Sequence, residues 1–214
     1  MADQPTTGKT TFRTVFEVGP DALAQTQRIA DTFQRALADE ATVGQDFGAI
    51  SRAAGTLPDS AIVKIIPGWG LQETAPVGVM VLSLRETVRQ ALGQTFGNPA
   101  FWEKAEAALA DAFVGLDEQE GGHIRFHKAD ATLGEQGSAS GGGRATDSTS
   151  YSYRLLFALQ DEETAGFVHA VALCADVTLA LAAEQARALT LDDTARFAIR
   201  LNALGVRQAP RSCG

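Results

Sequence analysis

Three histidines, two cysteines and one acidic residue on a strand of small side chains are the groups in this 214-residue chain that could do chemistry. His123 and His127 stand four residues apart. On a helix that spacing would place two ring nitrogens on one metal. The segment from His123 to Lys128 alternates as a strand, however, and there four residues span roughly 13 Å, while zinc ligands converge to about 2 Å from the ion. No metal site is expected. His169 and Cys174 differ in parity along one strand and so point to opposite faces. No Gly-x-Ser-x-Gly turn presents a serine, so no nucleophile with an adjacent base is expected. Gly8-Lys9-Thr10 lacks the upstream glycine of a phosphate loop, and Gly141-Gly142-Gly143-Arg144 lacks a preceding strand. Asp176 reads as a hydrogen-bonded carboxylate. The sequence thus implies no cofactor and no enzyme, with a Cys174 hydrolase kept as a third reading.

The element that carries His169, Cys174 and Asp176 runs from Ser148 to Leu181. Phe167, His169, Val171, Leu173, Ala175, Val177 and Leu179 fall on one face of its second arm, and Val168, Ala170, Ala172, Cys174, Asp176 and Thr178 on the other. This period of two predicts a long strand. The first arm behaves alike, with Tyr151, Tyr153, Leu155, Phe157 and Leu159 against Ser152, Arg154, Leu156 and Ala158. Strands usually run about 5–6 residues, whereas a bilayer-spanning strand takes about 9–11. Both arms are long enough to span.

Before the hairpin, TTFRTVFEV predicts a short strand ended by Gly19-Pro20. Pro20 and Asp21 open a helix with Ile29, Phe33 and Leu37 on its buried stripe. Residues 45–55 predict a second helix, so the two form a helical hairpin. Ala61 to Ile66 is β-branched and predicts a strand stopped by Pro67-Gly68-Trp69-Gly70. Val77 to Phe96 carries helical spacing, with a start that also fits a strand. Asn98-Pro99 caps another helix whose stripe continues through Phe113 to Leu116, giving a second helical hairpin. The Gly/Ser-rich segment 131–147 reads as a surface loop. After the long pair, residues around 182–193 predict a short helix or strand with a turn, and Thr194–Val206 a last strand. Residues 1–10 and 207–214 read as loose tails. The chain is therefore expected to be one domain over 1–214, of α+β class: a three-layer sandwich with a central antiparallel sheet of long strands between two helical hairpins.

Composition narrows the function. At 45% hydrophobic and 21% charged the chain is globular and not disordered. A net charge of −8 and a pI near 4.9 argue against nucleic acid as a partner and against polybasic docking on anionic lipid. No stretch reads as a secretory signal or a membrane-spanning helix.

The segments Ile29–Ile50, Val77–Gly93 and above all Thr149–Leu179, with Tyr151-x-Tyr153-x-x-Leu156-Phe157-Ala158-Leu159-Gln160 at their centre, resemble the Cyt cytolytic δ-endotoxins, which share a fold with the mushroom cytolysin volvatoxin. The resemblance implies a non-enzymatic protein, a soluble monomer or dimer made without a conventional signal. Such a protein acts outside the producing cell, binds phospholipid membranes, and permeabilises them as a homo-oligomeric pore or by detergent-like disruption. It implies that the long strands insert: residues 150–160 and 166–182, with 195–205 as a third candidate. The lipid-facing candidates are Tyr151, Tyr153, Leu155, Phe157, Leu159, Phe167, Val171, Leu173, Val177 and Leu179. Arg154 and Asp176 would face the lumen. Family members are trimmed at both ends by proteases, and Lys9, Arg13, Arg207 and Arg211 are the candidate cleavage points here. The alternative reading is a lipid- or fatty-acid-binding virulence-type protein of the same fold.

Overall fold

Period-two alternation sets the centre of the molecule. In the computed structural model, which describes residues 9–38, 43–93, 98–116, 119, 122–127, 148–160 and 166–210, β4 (Thr149–Gln160) and β5 (Val168–Leu179) are paired antiparallel over their full 12 residues. The strand β6 (Thr194–Gln208) continues the sheet beyond β5, and β2 (Ser60–Pro76) closes it as the far edge. On the other side, β1 (Arg13–Glu17) and β3 (Ile124–His127) share the outer edge of β4, β1 against Leu155–Leu159 and β3 against Ser150–Tyr153. The β1–β4 pair is parallel, so the sheet is mixed where an all-antiparallel one was expected. The chain that follows β1 forms a helical hairpin over one face before the sheet resumes, and such a crossover permits parallel pairing.

The two sheet faces are covered by different hairpins. The helices α1 (Pro20–Ala36) and α2 (Val43–Ala54) bury Ile29, Phe33, Val43, Phe47 and Ile50 against Leu156, Ala158, Ala170, Ala172, Cys174, Leu204 and Val206. The helices α3 (Val77–Leu92) and α4 (Pro99–Ala110) bury Met80, Leu84, Val88, Phe101 and Leu109 against the bulkier rows of β4, β5 and β6. Small residues line one sheet face and large ones the other. The expected three-layer arrangement is therefore present, with α5 (Ala183–Arg187) as a single short turn of helix before β6.

Four local expectations change. The strand β2 does not stop at Ile66 but passes through Pro67-Gly68 to Pro76. It can do so because it is an edge strand, where proline's missing N–H costs no ladder bond, and because a register shift between Ile66 and Trp69 absorbs the extra residues. Gly68 there adopts φ 61°, and its N–H donates to Asn202 Oδ1 at 2.8 Å. The ambiguous start at Val77 is helical, since β2 occupies everything before it. The helix α4 ends at Ala110, and Ala112, Phe113 and Leu116 are buried by the turns beyond it. The tails are shorter than expected, because β6 reaches Gln208 and Thr10 is buried. The 131–147 segment and the acidic turn at 161–165 lie outside the described residues.

The α3 layer approaches the sheet at backbone distance. A Cβ on Gly205 of β6 would stand 1.8 Å from the Ala91 carbonyl oxygen of α3. Gly205→Ala should therefore push α3 outward and lower stability by about 1–3 kcal/mol or more, the cost of overpacking a close contact. Urea denaturation measures it, and an unchanged midpoint would contradict the packing described.

Candidate membrane-insertion site

The candidate site is the hairpin β4–β5 with β6 beside it. Tyr151, Tyr153, Leu155, Phe157 and Leu159 of β4 stand directly opposite Val177, Ala175, Leu173, Val171 and His169 of β5. Those β5 residues in turn face Ile199, Leu201, Ala203, Gly205 and Arg207 of β6. Nine of the ten proposed lipid-facing residues thus share one buried face under α3 and α4. Phe167 is the exception. It precedes β5 and is half-buried, with the Arg207 guanidinium 4.9 Å from its ring centroid, because β5 begins only at Val168.

Aromatic contacts fix the row. Phe157 meets Phe101 edge-on at 6.2 Å and Phe197 meets Phe113 at 5.6 Å. Tyr151 is fully buried and donates its hydroxyl to the Ala112 carbonyl at 2.7 Å, and burial pushes its phenol far up from the ordinary value. Tyr153 is pushed up to about 12, chiefly by burial, with Arg13 acting against the shift.

The opposite face divides along its length. Towards the acidic turn it is apolar, with Leu156, Ala158, Ala170, Ala172, Leu204 and Val206. Towards the other end it carries Ser150, Ser152, Arg154, Asp176, Thr178 and Arg200. Ser152 donates to Asp176 Oδ1 at 2.8 Å, Ser150 pairs with Thr178 at 2.9 Å, and the His127 ring meets the Ser152 hydroxyl. Arg154 and Asp176 share this face, as their parity predicted.

At the boundary between the two halves lies a feature that sequence reading missed. Arg154 is 0% exposed and forms an ion pair with Asp46 of α2, also 0% exposed in its side chain. The Arg154 Nη1 has no hydrogen-bond partner among the described residues. Burial pushes the Asp46 carboxyl up from its ordinary value, and the Arg154 charge opposes that shift without cancelling it. A pair of this kind holds α2 against the sheet at a desolvation cost that its attraction does not fully offset. A signal was present in the sequence: Asp46 sits among Val43, Phe47, Ile50 and Ala54 on an otherwise apolar stripe, where a charge needs a partner.

The groups weighed for catalysis fall apart in space. His123 stacks edge-on against Tyr153 at 5.4 Å on the bulky side, while His127 reaches Ser152 on the small side. Ser152, His127 and Asp176 do meet, but Ser152 is buried and gives its proton to Asp176 in a static bond, whereas an activated hydroxyl gives it to a histidine oriented by the acid. Burial pushes the Cys174 thiol up to about 12, so it stands as a packed, protonated side chain. Among the described residues no three His, Cys, Asp or Glu side chains gather as metal ligands, and no helix is long and apolar enough to cross a membrane. Two surface clefts, of about 340 Å³ beside Arg13 and Lys104 and about 630 Å³ beside Arg28, Asp31 and Arg35, do not reach Cys174.

The proposed cleavage points differ in access. Lys9 is exposed ahead of β1. Arg13 lies within β1 and is ion-paired to Asp111, and Arg207 lies within β6, so the sheet shields both backbones. Arg211 lies outside the described residues.

The model of the Bacillus thuringiensis toxin family matches residues 3–213. Among curated proteins, the Type-2Aa cytolytic delta-endotoxin of Bacillus thuringiensis subsp. kyushuensis is 29% identical over 209 residues, 97% of this chain and 74% of that one. The Type-1Aa cytolytic delta-endotoxin of subsp. morrisoni is 24% identical over 195 residues, 88% of this chain and 72% of that one. The crystal structure of activated Cyt2Ba monomer from subsp. israelensis superimposes with a TM-score of 0.82 at 27% identity, covering 95% of this chain and all of the other.

Proposed function

This chain belongs to the Bacillus thuringiensis toxin family, and from that membership we propose that it is a membrane-permeabilising cytolysin which binds phospholipid and inserts β4, β5 and β6 into the bilayer. The observation that carries the reading is one continuous apolar face across two 12-residue strands and a 15-residue one. At about 3.3 Å per residue each exceeds the length a tilted membrane strand needs.

In the soluble form that face is covered by α3 and α4, so the helices must leave before lipid can replace them. The inserted strands keep their backbone groups satisfied only by pairing on both edges, which makes a closed, multi-chain barrel part of the mechanism. Arg154, Asp176 and the serines beside them turn towards water in such a barrel. On the lipid face a buried arginine costs about 2–4 kcal/mol at the midplane, so the alternation sets which face points outward. Among the described candidates, Lys9 is the point where trimming would act without breaking the sheet.

Dye release from neutral phosphatidylcholine vesicles tests the reading, with intact protein and with protein trimmed by a trypsin-like protease. Release is expected at micromolar protein in at least one of the two conditions. Intact vesicles in both would overturn it.

A further inference from the structure

The charges of β4, β5 and β6 are sorted between the two sheet faces. The row under α3 and α4 holds no charged side chain from Tyr151 to Leu159, from Val171 to Leu179, or from Ala195 to Gly205. The opposite row holds Arg154, Asp176, Arg196 and Arg200. Three guanidiniums stand there against one carboxylate, an excess of two positive charges per chain, although the chain as a whole carries −8.

These charges lie at different levels along the strands. Asp176 stands directly opposite Arg200, with Ser152 on its other side, so that level is balanced. Arg196 lies past the end of β5, where its carbonyl accepts the Ala180 N–H at 3.1 Å, and its charge sits at the strand ends. Arg154 stands level with Cys174 and Asn202, neither of them a carboxylate. Its ion-pair partner in the folded protein is Asp46, which belongs to α2 and not to the sheet. When α2 leaves, that counter-charge leaves with it.

Building on the cytolytic reading above, we propose that the pore passes anions in preference to cations, and that Arg154 sets this preference. In a barrel of several copies each chain contributes one guanidinium at the same level, so Arg154 becomes a ring. A ring of arginines favours an anion in the pore and repels a cation, and arginine keeps its charge at any ordinary pH. The carboxylate of the inserted strands, Asp176, belongs to the next level along, about 7 Å away at about 3.3 Å per residue, and it is already opposed by Arg200. The acidic composition of the chain would suggest the opposite preference.

Current through planar bilayers of neutral phosphatidylcholine, with KCl about tenfold more concentrated on one side, tests the proposal. The dilute side is held near about 0.01 M, where the Debye length is about 30 Å and lumen charges are weakly screened. The wild-type reversal potential should lie on the chloride side of zero. Asp176→Asn raises the excess to three positive charges per chain and should shift the reversal further towards the chloride equilibrium potential. The double variant Asp46→Leu/Arg154→Met removes the ring together with its buried partner, and should shift the reversal towards zero. A purely structural role for Arg154 would change how much current flows and not where it reverses, so an unmoved reversal in the double variant would remove Arg154 from the proposal. Wild-type pores that reverse at zero or on the potassium side would overturn the proposal and leave the cytolytic reading standing. Bilayers that stay silent, together with vesicles that do not leak, would remove both.

Discussion

Asp46→Leu should lower the stability of the folded protein by about 3–5 kcal/mol, because it leaves the Arg154 guanidinium, 0% exposed, charged and unpaired beneath α2. Arginine cannot shed its proton to escape that cost. Arg154→Met should cost less, since the orphaned Asp46 can take up a proton, its carboxyl being already pushed up by burial. Asp46→Leu combined with Arg154→Met should leave stability unchanged or raise it by about 1–4 kcal/mol, as apolar replacement of buried ion pairs does. Chemical denaturation of the three variants reads all of this, and a double variant as weak as Asp46→Leu alone would mean that the pair supports the fold through more than its own charges.

The same carboxyl sets a pH dependence whose sign is the reverse of the usual acidic residue. With its folded-state pKa raised above the ordinary carboxylate value by burial, against the opposing Arg154 charge, Asp46 binds more protons folded than unfolded, so its contribution is greatest in acid. That contribution is lost as pH rises from the unfolded value through the raised folded one. Asp46→Asn should flatten this part of the stability profile. In the proposed inserted form the desolvation held in the pair would be released as Arg154 meets water, which would favour departure of α1 and α2 from the sheet.

The second large effect is on leakage. An ideal Cβ on Gly93, at the end of α3, stands 3.8 Å from the Val63 Cβ of β2, the mean separation in disulfides, about 3.8 Å. Val63→Cys with Gly93→Cys, in a Cys213→Ser background, should therefore form a bond that ties the α3–α4 layer to the sheet. Gly93 has φ 70°, so cysteine there costs about 1–2 kcal/mol, which the cross-link offsets. Dye release should fall to background in the oxidised form and return on reduction. Leakage that persists in the oxidised form would mean that the bulky sheet face is not uncovered by movement of α3.

The sequence pattern was informative where geometry is local and silent where it is not. Alternation in Thr149–Gln160 and Val168–Leu179 fixed which residues share a face, and nine of ten named side chains lie together because parity is preserved through an unbulged strand. Phe167 departs because it lies before the first paired residue. Parallel pairing of β1 was not legible, since strand order in a sheet depends on the crossover and not on local residues. Pro67-Gly68 looked like a stop because local chemistry does not reveal that β2 is an edge strand with room for a bulge. Parity also placed Arg154 on the small face, but its partner came from a helix more than a hundred residues away.

The most direct measurement follows that parity into the membrane. Single cysteines at Ala170, Val171, Ala172 and Leu173, in a Cys174→Ser and Cys213→Ser background, would each carry an environment-sensitive fluorophore on protein bound to phosphatidylcholine vesicles containing a lipid-borne quencher. Strong quenching at 171 and 173 with weak quenching at 170 and 172 is the expected result, the odd row facing lipid and the even row facing water. Equal quenching at all four positions, or none at any, would contradict insertion of β5 as a barrel strand.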